Sequence, residues 1–475
     1  MNYELIIGLE IHAQLLTRTK AFCRCPNRYG DPPNTLTCPT CLGMPGALPV
    51  LNDEVVEQAA KLALSLSAQI HPRCKFDRKN YFYPDLPKGY QISQYDEPFS
   101  TGGFLDIETP AGPKRIRITR AHIEEDAGKS MHMDDGSTIV DMNRCGVPLV
   151  EIVTEPDFRA PDEAGAFVST VRELLRYIGV CDGNMERGSL RCDVNISVRP
   201  AGEDKLYERA EIKNLNSIRA VERAVEWERQ RQISVYDSGG TIRRETLLWD
   251  EATEELRPMR RKEGSDDYRY FPEPDLVELS VASGYIERIR SGLPEFPWVR
   301  RQRYREDLKL HEEAVSLLAS DRAMGDYFED LMNAGADAKS SANWMQGEVR
   351  RAMAEHEWTI EQFPLEPKAL AELIAAVQQD TVSLSKAKDV FRKMVAEGRS
   401  AKEIIEADGL SQSADTDQLK PLLADLLKRH PDELERYRSG KKNLFGFFMG
   451  EAMKITAGKA NPKVLNTLLQ ELLNA

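Results

Sequence analysis

The sequence lacks the segments that would carry a chain to or across a membrane. No apolar run approaches the roughly 18 residues that can span a bilayer. The chain opens with the acidic, strand-like residues MNYE, without a basic leader or an Arg/Ser-rich transit segment. Eight cysteines in a long chain with these cytosolic features do not indicate a disulfide framework. We therefore expect a cytoplasmic protein with no membrane contact.

The glycine-rich nucleotide-binding motifs GxxxxGK[ST] and GxGxxG are also missing, so a nucleotide would have to be bound through metal ions and sheet side chains. Acidic residues also outnumber basic ones, by 77 to 64. The net charge of −13 argues against general coating of nucleic acid, but residues 419–475 carry 10 Lys/Arg and 6 Asp/Glu, a local balance of +4. This basic end permits a local contact with a polyanion, although a solvated helical surface explains the charge equally well.

A chain of 475 residues is too long for one core, and its 41% hydrophobic and 30% charged residues suit a folded enzyme. Strand-like alternation recurs up to residue 293, and amphipathic helices follow the linker-like residues 292–297. A polar break begins at Ser411. The patterns predict an α+β domain over 1–293 with a largely antiparallel sheet and flanking helices, an all-helical domain over 294–410 and a small helical tail over 411–475.

Four of the cysteines lie close together, as Cys23, Cys25, Cys38 and Cys41. Two thiolate pairs across a short loop, flanked by proline and glycine, suit tetrahedral zinc, although one pair is CxC and not CxxC. Four sulfur ligands leave no open position, so the predicted zinc site over 23–41 is structural. The alternative is four reduced thiols in a loop.

The first predicted strand, residues 5–14, places Glu10 and His12 on one face, because alternate residues of a strand share a face. For an isolated ExH pair, an exposed strand surface is the more common explanation. Later strands also present acids on polar faces, at Glu125, Glu151, Asp193 and Glu211, although a solvated sheet face with ordinary charged residues remains the alternative. At the end of the strand that carries Glu125, only Glu124 or Glu125 can join a given face. Converging carboxylates with one imidazole suit Mg²⁺ or Mn²⁺ and phosphate chemistry.

Several longer motifs resemble one family, the B subunit of the tRNA-dependent amidotransferase (GatB/GatE). They are residues 8–12 (GLEIH), 79–87 (KNYFYPDLP), 143–153 (NRCGVPLVEIV), 188–195 (GSLRCDVN), 211–217 (EIKNLNS), 267–275 (DYRYFPEPD) and 458–462 (GKANP). They occur in the expected order along nearly the whole chain. One departure is Leu247, where the family usually has an arginine.

The resemblance implies a heterotrimer with an amidase subunit, which releases ammonia from glutamine, and a small third subunit, which steadies the assembly. This chain would bind mischarged Glu-tRNA(Gln) or Asp-tRNA(Asn), phosphorylate the side-chain carboxyl with ATP, and support its amidation. The implied fold of the first domain is an antiparallel catalytic sheet like that of glutamine synthetase, and the tail would contact tRNA.

The resemblance also implies roles for individual residues. His12, Glu125 and Glu151 look like Mg²⁺ ligands, with Glu10, Asp193 and Glu211 around a second divalent ion. Lys79, Arg191 and Lys213 would be partners of the nucleotide phosphates or the acyl phosphate, and the cysteine loop would be the zinc knuckle of some family members. For each charged residue, a surface salt bridge of little energetic weight is the alternative.

Two other functions remain open at this point. A non-catalytic, zinc-containing tRNA-binding module would account for the cysteine loop and the basic end. An independent amide ligase like glutamine synthetase would act on free glutamate without tRNA or partner proteins.

Overall fold

The structure is a computed structural model that describes residues 2–133, 135–259, 268–411, 416–456 and 460–474. Asp267, Gly458 and Lys459 of the family motifs, and residues 412–415 of the predicted polar break, lie outside the described residues. The chain divides into two compact units, Met1–Phe296 and Pro297–Ala475.

Among the residues that the structure describes, the strands all belong to the first unit. In chain order they are β1 (Tyr3–Gln14), β2 (Gln69–Ile70), β3 (Arg73–Cys74), β4 (Asp77–Asn80), β5 (Tyr90–Ser93), β6 (Ser100–Thr101), β7 (Phe104–Thr109), β8 (Gly112–Glu125), β9 (Lys129–His132), β10 (Thr138–Asp141), β11 (Pro148–Thr154), β12 (Leu190–Pro200), β13 (Ala210–Leu215), β14 (Glu245–Asp250), β15 (Glu255–Pro258), β16 (Phe271–Pro272) and β17 (Leu279–Ser280).

A ten-stranded sheet organises the first unit. Its order is β15-β14-β13-β12-β1-β11-β8-β6-β2, and β7 pairs with β8. Every pairing in this sheet is antiparallel except β13 with β14. The predicted α+β class with a largely antiparallel sheet is therefore confirmed, while the specific likeness to glutamine synthetase stays a prediction.

Four helices accompany the sheet: α1 (Asp53–Ser65), α2 (Pro161–Tyr177), α3 (Ile218–Asp237) and α4 (Ser283–Ser291). Helix α2 begins with proline, which lacks the N–H that a first turn leaves unpaired, and the Ser217 hydroxyl caps α3 by accepting from the Ala220 N–H. Helices α2 and α3 pack over β1 and β12, where Leu9, Ile11 and Ala13 are buried. The other face of β1, which carries Glu10 and His12, is left for polar side chains.

The described residues of the second unit form helices joined by loops, with no strand among them. Its helices are α5 (Pro297–Glu306), α6 (Glu312–Leu318), α7 (Arg322–Asn333), α8 (Ala338–Trp344), α9 (Arg350–His356), α10 (Pro367–Gln378), α11 (Leu384–Glu397), α12 (Ala401–Ala407), α13 (Thr416–Arg429), α14 (Pro431–Arg438), α15 (Phe445–Ile455) and α16 (Pro462–Asn474). Two separate apolar cores occur here, one between Tyr304 and Ile405 and one between Leu419 and Leu473. They lie on either side of residue 411, the predicted start of the tail; the three-domain division itself stays a prediction.

Among the described residues, no helix combines the length and the apolar character needed to cross a bilayer.

Candidate active site

A row of four side chains crosses the polar face of the sheet. His12 on β1 is paired in register with Arg191 on β12 and with Glu151 on β11, and Glu151 is paired with His122 on β8. Residues directly opposite each other in antiparallel strands project to the same face. The register therefore brings one acid between two imidazoles.

The first cluster, called the His12 cluster, consists of His12, His122, Glu124 and Glu151. The His12 Nε2 atom lies 3.5 Å from Glu151 Oε2 and 3.7 Å from Glu124 Oε1. The His122 Nε2 atom lies 3.3 Å from Glu151 Oε2 and 3.7 Å from Glu124 Oε2. One ligand atom each from His12, Glu124 and Glu151 can lie within 4.8 Å of the others. Two carboxylates and an imidazole at this spacing suit a hard divalent cation.

The protonation equilibria of the His12 cluster reflect its concentration of negative charge. Burial by itself lowers the pKa of His122, but the charges of Glu151 and Glu124 outweigh it and raise the pKa to about 9. Burial likewise lowers the pKa of His12, but Glu151 and Glu124 outweigh it, so that this pKa is also raised. Burial raises the pKa of Glu151, yet the two imidazoles hold it well below its usual value. The carboxylates therefore remain ionised and favour the protonated, positively charged forms of the two imidazoles. A divalent cation could supply this positive charge instead.

The resemblance implies Glu125 as the third ligand with His12 and Glu151, but in the structure Glu124, and not Glu125, lies beside these two residues. Glu125 directs its side chain to the opposite face, where it pairs with Lys88 Nζ and accepts a 3.0 Å hydrogen bond from the Ile92 N–H. The strand alternation at residues 124 and 125 is the physical reason. Glu124 takes the expected place beside the two histidines.

The second cluster, called the Glu10 cluster, consists of Glu10, Asp193 and Glu211, whose ligand atoms also lie within 4.8 Å of one another. Glu10 is in register with Asp193, and its Oε1 atom accepts a 2.9 Å hydrogen bond from Asn195 Nδ2. Lys213 Nζ forms an ion pair with Asp193 and lies 2.8 Å from Glu211 Oε1. This cluster thus already holds one cation from the protein.

The pKa shifts of the Glu10 cluster show that it is rich in negative charge. Burial, followed by repulsion from Glu151, raises the pKa of Glu10. Burial opposes the charged form of Lys213, but Asp193 and Glu211 raise its pKa above the usual value, so the ammonium is retained.

The two clusters share one cavity of about 780 Å³, which is lined by Glu10, His12, Glu151, Asp193 and Glu211 together with Lys79. The Lys79 Nζ atom lies 5.0 Å from the centre of the Tyr268 ring. Glu124 and Arg191 line an adjoining cavity of about 380 Å³ that also reaches His12 and Lys79. The predicted acids, apart from Glu125, and the predicted cations therefore meet in one region.

Arg191 and Lys213, predicted as phosphate partners, are engaged by carboxylates. The Arg191 Nη2 atom lies 2.7 Å from Asp126 Oδ2, which also accepts a 2.9 Å hydrogen bond from Gln14. Both cations lie beside the clusters, and the carboxylates with which they pair hold them in these positions.

The four cysteines come together as predicted. Cys23, Cys25, Cys38 and Cys41 can place their sulfur atoms within 4.8 Å of one another. A hydrogen bond from Cys23, supported by nearby Lys20, lowers the pKa of Cys41 to about 5. Four clustered thiols, one of them already inclined to ionise, have the chemistry of a closed zinc site.

His122 and Asn195 belong to the site, although the sequence patterns above assign them no role. Both follow from alternation: His122 precedes Glu124 by two residues, and Asn195 follows Asp193 by two. A search for acids that share a face does not find a histidine or an asparagine. Both residues could have been found by listing the residues two positions before and after each acid, because these lie on the same face of the strand.

Comparison with known proteins identifies the family of the chain. Residues 5–287 match the model of the GatB/GatE catalytic domain, and residues 326–473 match that of the GatB domain. Similar proteins include the B subunit of the aspartyl/glutamyl-tRNA(Asn/Gln) amidotransferase of Chlorobium phaeobacteroides strain BS1, at 47% identity, and that of Halorhodospira halophila strain DSM 244 / SL1, at 50%, each over 100% of both chains. The same-named protein of Thermosynechococcus vestitus is 49% identical over 100% of this chain and 97% of its own. The chain therefore belongs to the family of B subunits of the aspartyl/glutamyl-tRNA(Asn/Gln) amidotransferases.

Proposed function

We propose that this chain is the component of an ATP-dependent amidotransferase that activates the side-chain carboxyl of mischarged Glu-tRNA(Gln), Asp-tRNA(Asn) or both. The observation that carries the proposal is the pair of acid clusters on one sheet face, inside one cavity that also holds Lys79. Family membership supports the same activity, because the relatives are named for it.

The reaction has two balanced steps. A carboxylate oxygen of the aminoacyl group attacks the γ-phosphorus of ATP, so that a new P–O bond forms and the bond to ADP breaks. Ammonia then attacks the acyl carbon, a C–N bond forms, phosphate leaves with the C–O bond electrons, and the nitrogen loses a proton. The reaction brings the carboxylate close to the phosphate groups. A site that catalyses it must therefore supply positive charge.

The residues present fit two hard cations. His12, Glu124 and Glu151 would hold one Mg²⁺ ion, and Glu10, Asp193 and Glu211 the other. When bound, such ions would neutralise phosphate charge. Lys79 carries a retained positive charge, because Glu124 and Glu151 outweigh its burial and raise its pKa. We assign Lys79, with Arg191 and Lys213 at the edges of the clusters, to orienting the phosphates or the acyl phosphate.

The partners follow from the same proposal. An amidase subunit would supply ammonia from glutamine, and a small third subunit would complete a heterotrimer that acts on tRNA in the cytoplasm. The tail from residue 411, whose own apolar core runs from Leu419 to Leu473, would contact the tRNA. Deleting residues 411–475 should then raise the KM for charged tRNA while the sheet stays folded; an unchanged KM would contradict the assignment.

We infer that the four-cysteine cluster holds a structural zinc ion, since its sulfur atoms converge and Cys41 is readily ionised. The purified protein should contain about one zinc ion per chain. Cys38→Ser should lower both the zinc content and the melting temperature. A full zinc content in that variant would show that the ligand set is wrong.

The decisive experiment is to purify the chain with its two partner proteins and supply Glu-tRNA(Gln) or Asp-tRNA(Asn), ATP and glutamine. We expect Gln-tRNA(Gln) or Asn-tRNA(Asn) together with ADP and phosphate. tRNA binding without ATP turnover on any charged tRNA would instead support a non-catalytic, zinc-containing tRNA-binding module. Amidation of free glutamate would support an independent ligase.

A further inference from the structure

Two arginines lie next to each other at one edge of the active-site cavity. Arg209 immediately precedes β13, and Arg244 immediately precedes β14, which runs parallel to it with Ala210 in register with Glu245. Neighbouring strands are about 4.8 Å apart. We call Arg209 and Arg244 the arginine pair.

Both members of the arginine pair face the cavity. Two residues further along, the Thr246 hydroxyl donates a 2.9 Å hydrogen bond to Glu211 Oε2, so these two side chains share the face of the Glu10 cluster. Residues two positions apart on a strand project to the same side. Arg209 and Arg244 accordingly line the cavity that contains the clusters.

Within the part of the chain that the structure describes, neither guanidinium of the pair forms a salt bridge, whereas the neighbouring cations do. Lys213 pairs with Asp193 and Glu211, and Arg231 pairs with Glu245 at 2.6 Å. Glu245 follows Arg244 directly, yet its carboxylate is used by another arginine. Two like charges side by side on adjacent strands repel each other, so this arrangement is stabilised when an anion lies between them.

The lining of the same cavity also includes exposed aromatic rings. The Phe82 side chain is 84% exposed and Tyr95 is 51% exposed. Tyr95 is stacked on Tyr270, with ring centres 4.1 Å apart and planes 10° from parallel. Exposed rings and arginines without a carboxylate salt bridge in one cavity are the combination that single-stranded nucleic acid uses, with bases on the rings and phosphates on the cations.

We propose that the arginine pair binds backbone phosphates of the single-stranded acceptor end of the tRNA, with Phe82 offering a stacking surface to one of its bases. This inference rests on the proposed function and adds a tRNA-binding site in the first unit, separate from the tail. Both arginines are exposed at the cavity edge. When the aminoacyl end of a tRNA reaches the clusters, the rest of its single-stranded end must continue past this edge, and its backbone phosphates then come within reach of the arginine pair. The triphosphate of ATP is compact and belongs beside the clusters.

The test uses the purified heterotrimer and unacylated tRNA, whose binding is measured against salt concentration. The variants are Arg209→Gln, Arg244→Gln and the double substitution. Arg243→Gln is the matched control, because Arg243 is an exposed neighbour that is not among the described residues lining the cavity. Substitutions of exposed arginines should leave the fold intact, which a melting curve and co-purification of the heterotrimer verify.

We expect the double variant to bind tRNA about tenfold more weakly, with the slope of log K against log salt reduced by about 0.7 for each lost phosphate contact. The control should match the unsubstituted protein. In amidation assays the KM for charged tRNA should rise and the KM for ATP should change less than about twofold, since only RNA phosphates are contacted. Phe82→Leu should weaken tRNA binding without altering the salt slope.

Three results would overturn the inference. Unchanged tRNA binding and slope in the double variant would remove the site. A raised KM for ATP with unchanged tRNA affinity would assign the pair to the nucleotide. An equal loss of tRNA affinity in Arg243→Gln would show that the effect comes from general surface charge and not from a specific site. Because binding of unacylated tRNA requires no turnover, failure of this inference is distinguishable from failure of the amidation chemistry, which the unsubstituted heterotrimer reports.

Discussion

The two carboxylate clusters lie on the same sheet face but balance their charge in different ways. Within the described residues, no lysine or arginine forms a salt bridge with Glu124 or Glu151, and two imidazoles occupy that place instead. In the Glu10 cluster, Lys213 already spans Asp193 and Glu211. An imidazole that loses its proton can ligate a cation, whereas an ammonium can only compete with one. Among the described residues, the proposed divalent ion would therefore meet no lysine or arginine paired with the acids of the His12 cluster, whereas in the Glu10 cluster it would have to displace Lys213 or share the carboxylates with it.

The largest expected effect comes from the centre of the His12 cluster. Glu151→Gln keeps the size of the side chain and removes the charge that faces both His12 and His122. We expect amidation to fall about a thousandfold, while tRNA binding is retained. The measurement is single-turnover amidation with the heterotrimer, and Glu155→Gln, an acid one residue past the same strand, is the control. Activity within tenfold of the unsubstituted protein would place the chemistry elsewhere.

His122→Gln tests the same cluster. The His122 side chain pairs with Glu124 and Glu151 but is not one of the three proposed ligands. We expect Mn²⁺ affinity to fall about 10- to 100-fold, as when hydrogen-bonding partners of metal ligands are lost. Fluorescence-detected or calorimetric titration measures it.

Stability of the metal-free protein gives a second measurement on His122→Gln. The pKa of His122 is raised to about 9 in the fold, against about 6.5 unfolded. The contribution of protonated His122 to the free energy of unfolding is therefore complete below about pH 6.5, and it disappears as the pH rises through about 9. The substitution should therefore flatten this decline in unfolding free energy. A decline of unchanged size would show that another group causes it.

The smallest expected effect concerns the Glu10 cluster. Lys213→Met leaves three carboxylates without their cation, which should reduce the free energy of unfolding by about 1–2 kcal/mol, less than for fully buried pairs because the Lys213 side chain is 30% exposed. Added Mn²⁺ should restore most of this loss, since the ion takes the position of the ammonium. Chemical denaturation with and without Mn²⁺ measures it. A loss that Mn²⁺ does not reduce would mean that the Glu10 cluster is a salt bridge and not an ion site.

Alternation along single strands is enough to predict part of this arrangement. It places Glu10 with His12 and Asp193 with Asn195, and the CxC and CxxC spacing brings the four cysteines together. Alternation cannot say which of Glu124 and Glu125 faces the site, because that depends on how β8 pairs with β11. The pairing of Lys213 with Asp193 is also beyond its reach, since the register of β12 and β13 shifts between Cys192 and Val194. Such irregularities are set by tertiary packing and leave no periodic signal in the sequence.

Glu124 and Glu125 offer the most direct test that the His12 face is the metal-binding face. The two acids are adjacent, equally buried and identical in chemistry, and they differ in the side of the sheet that they face. Mn²⁺ titration of Glu124→Gln should show an affinity lowered about 100-fold, while Glu125→Gln, once its melting curve confirms folding, should stay within about twofold of the unsubstituted protein. Loss of affinity in Glu125→Gln with retention in Glu124→Gln would contradict the account.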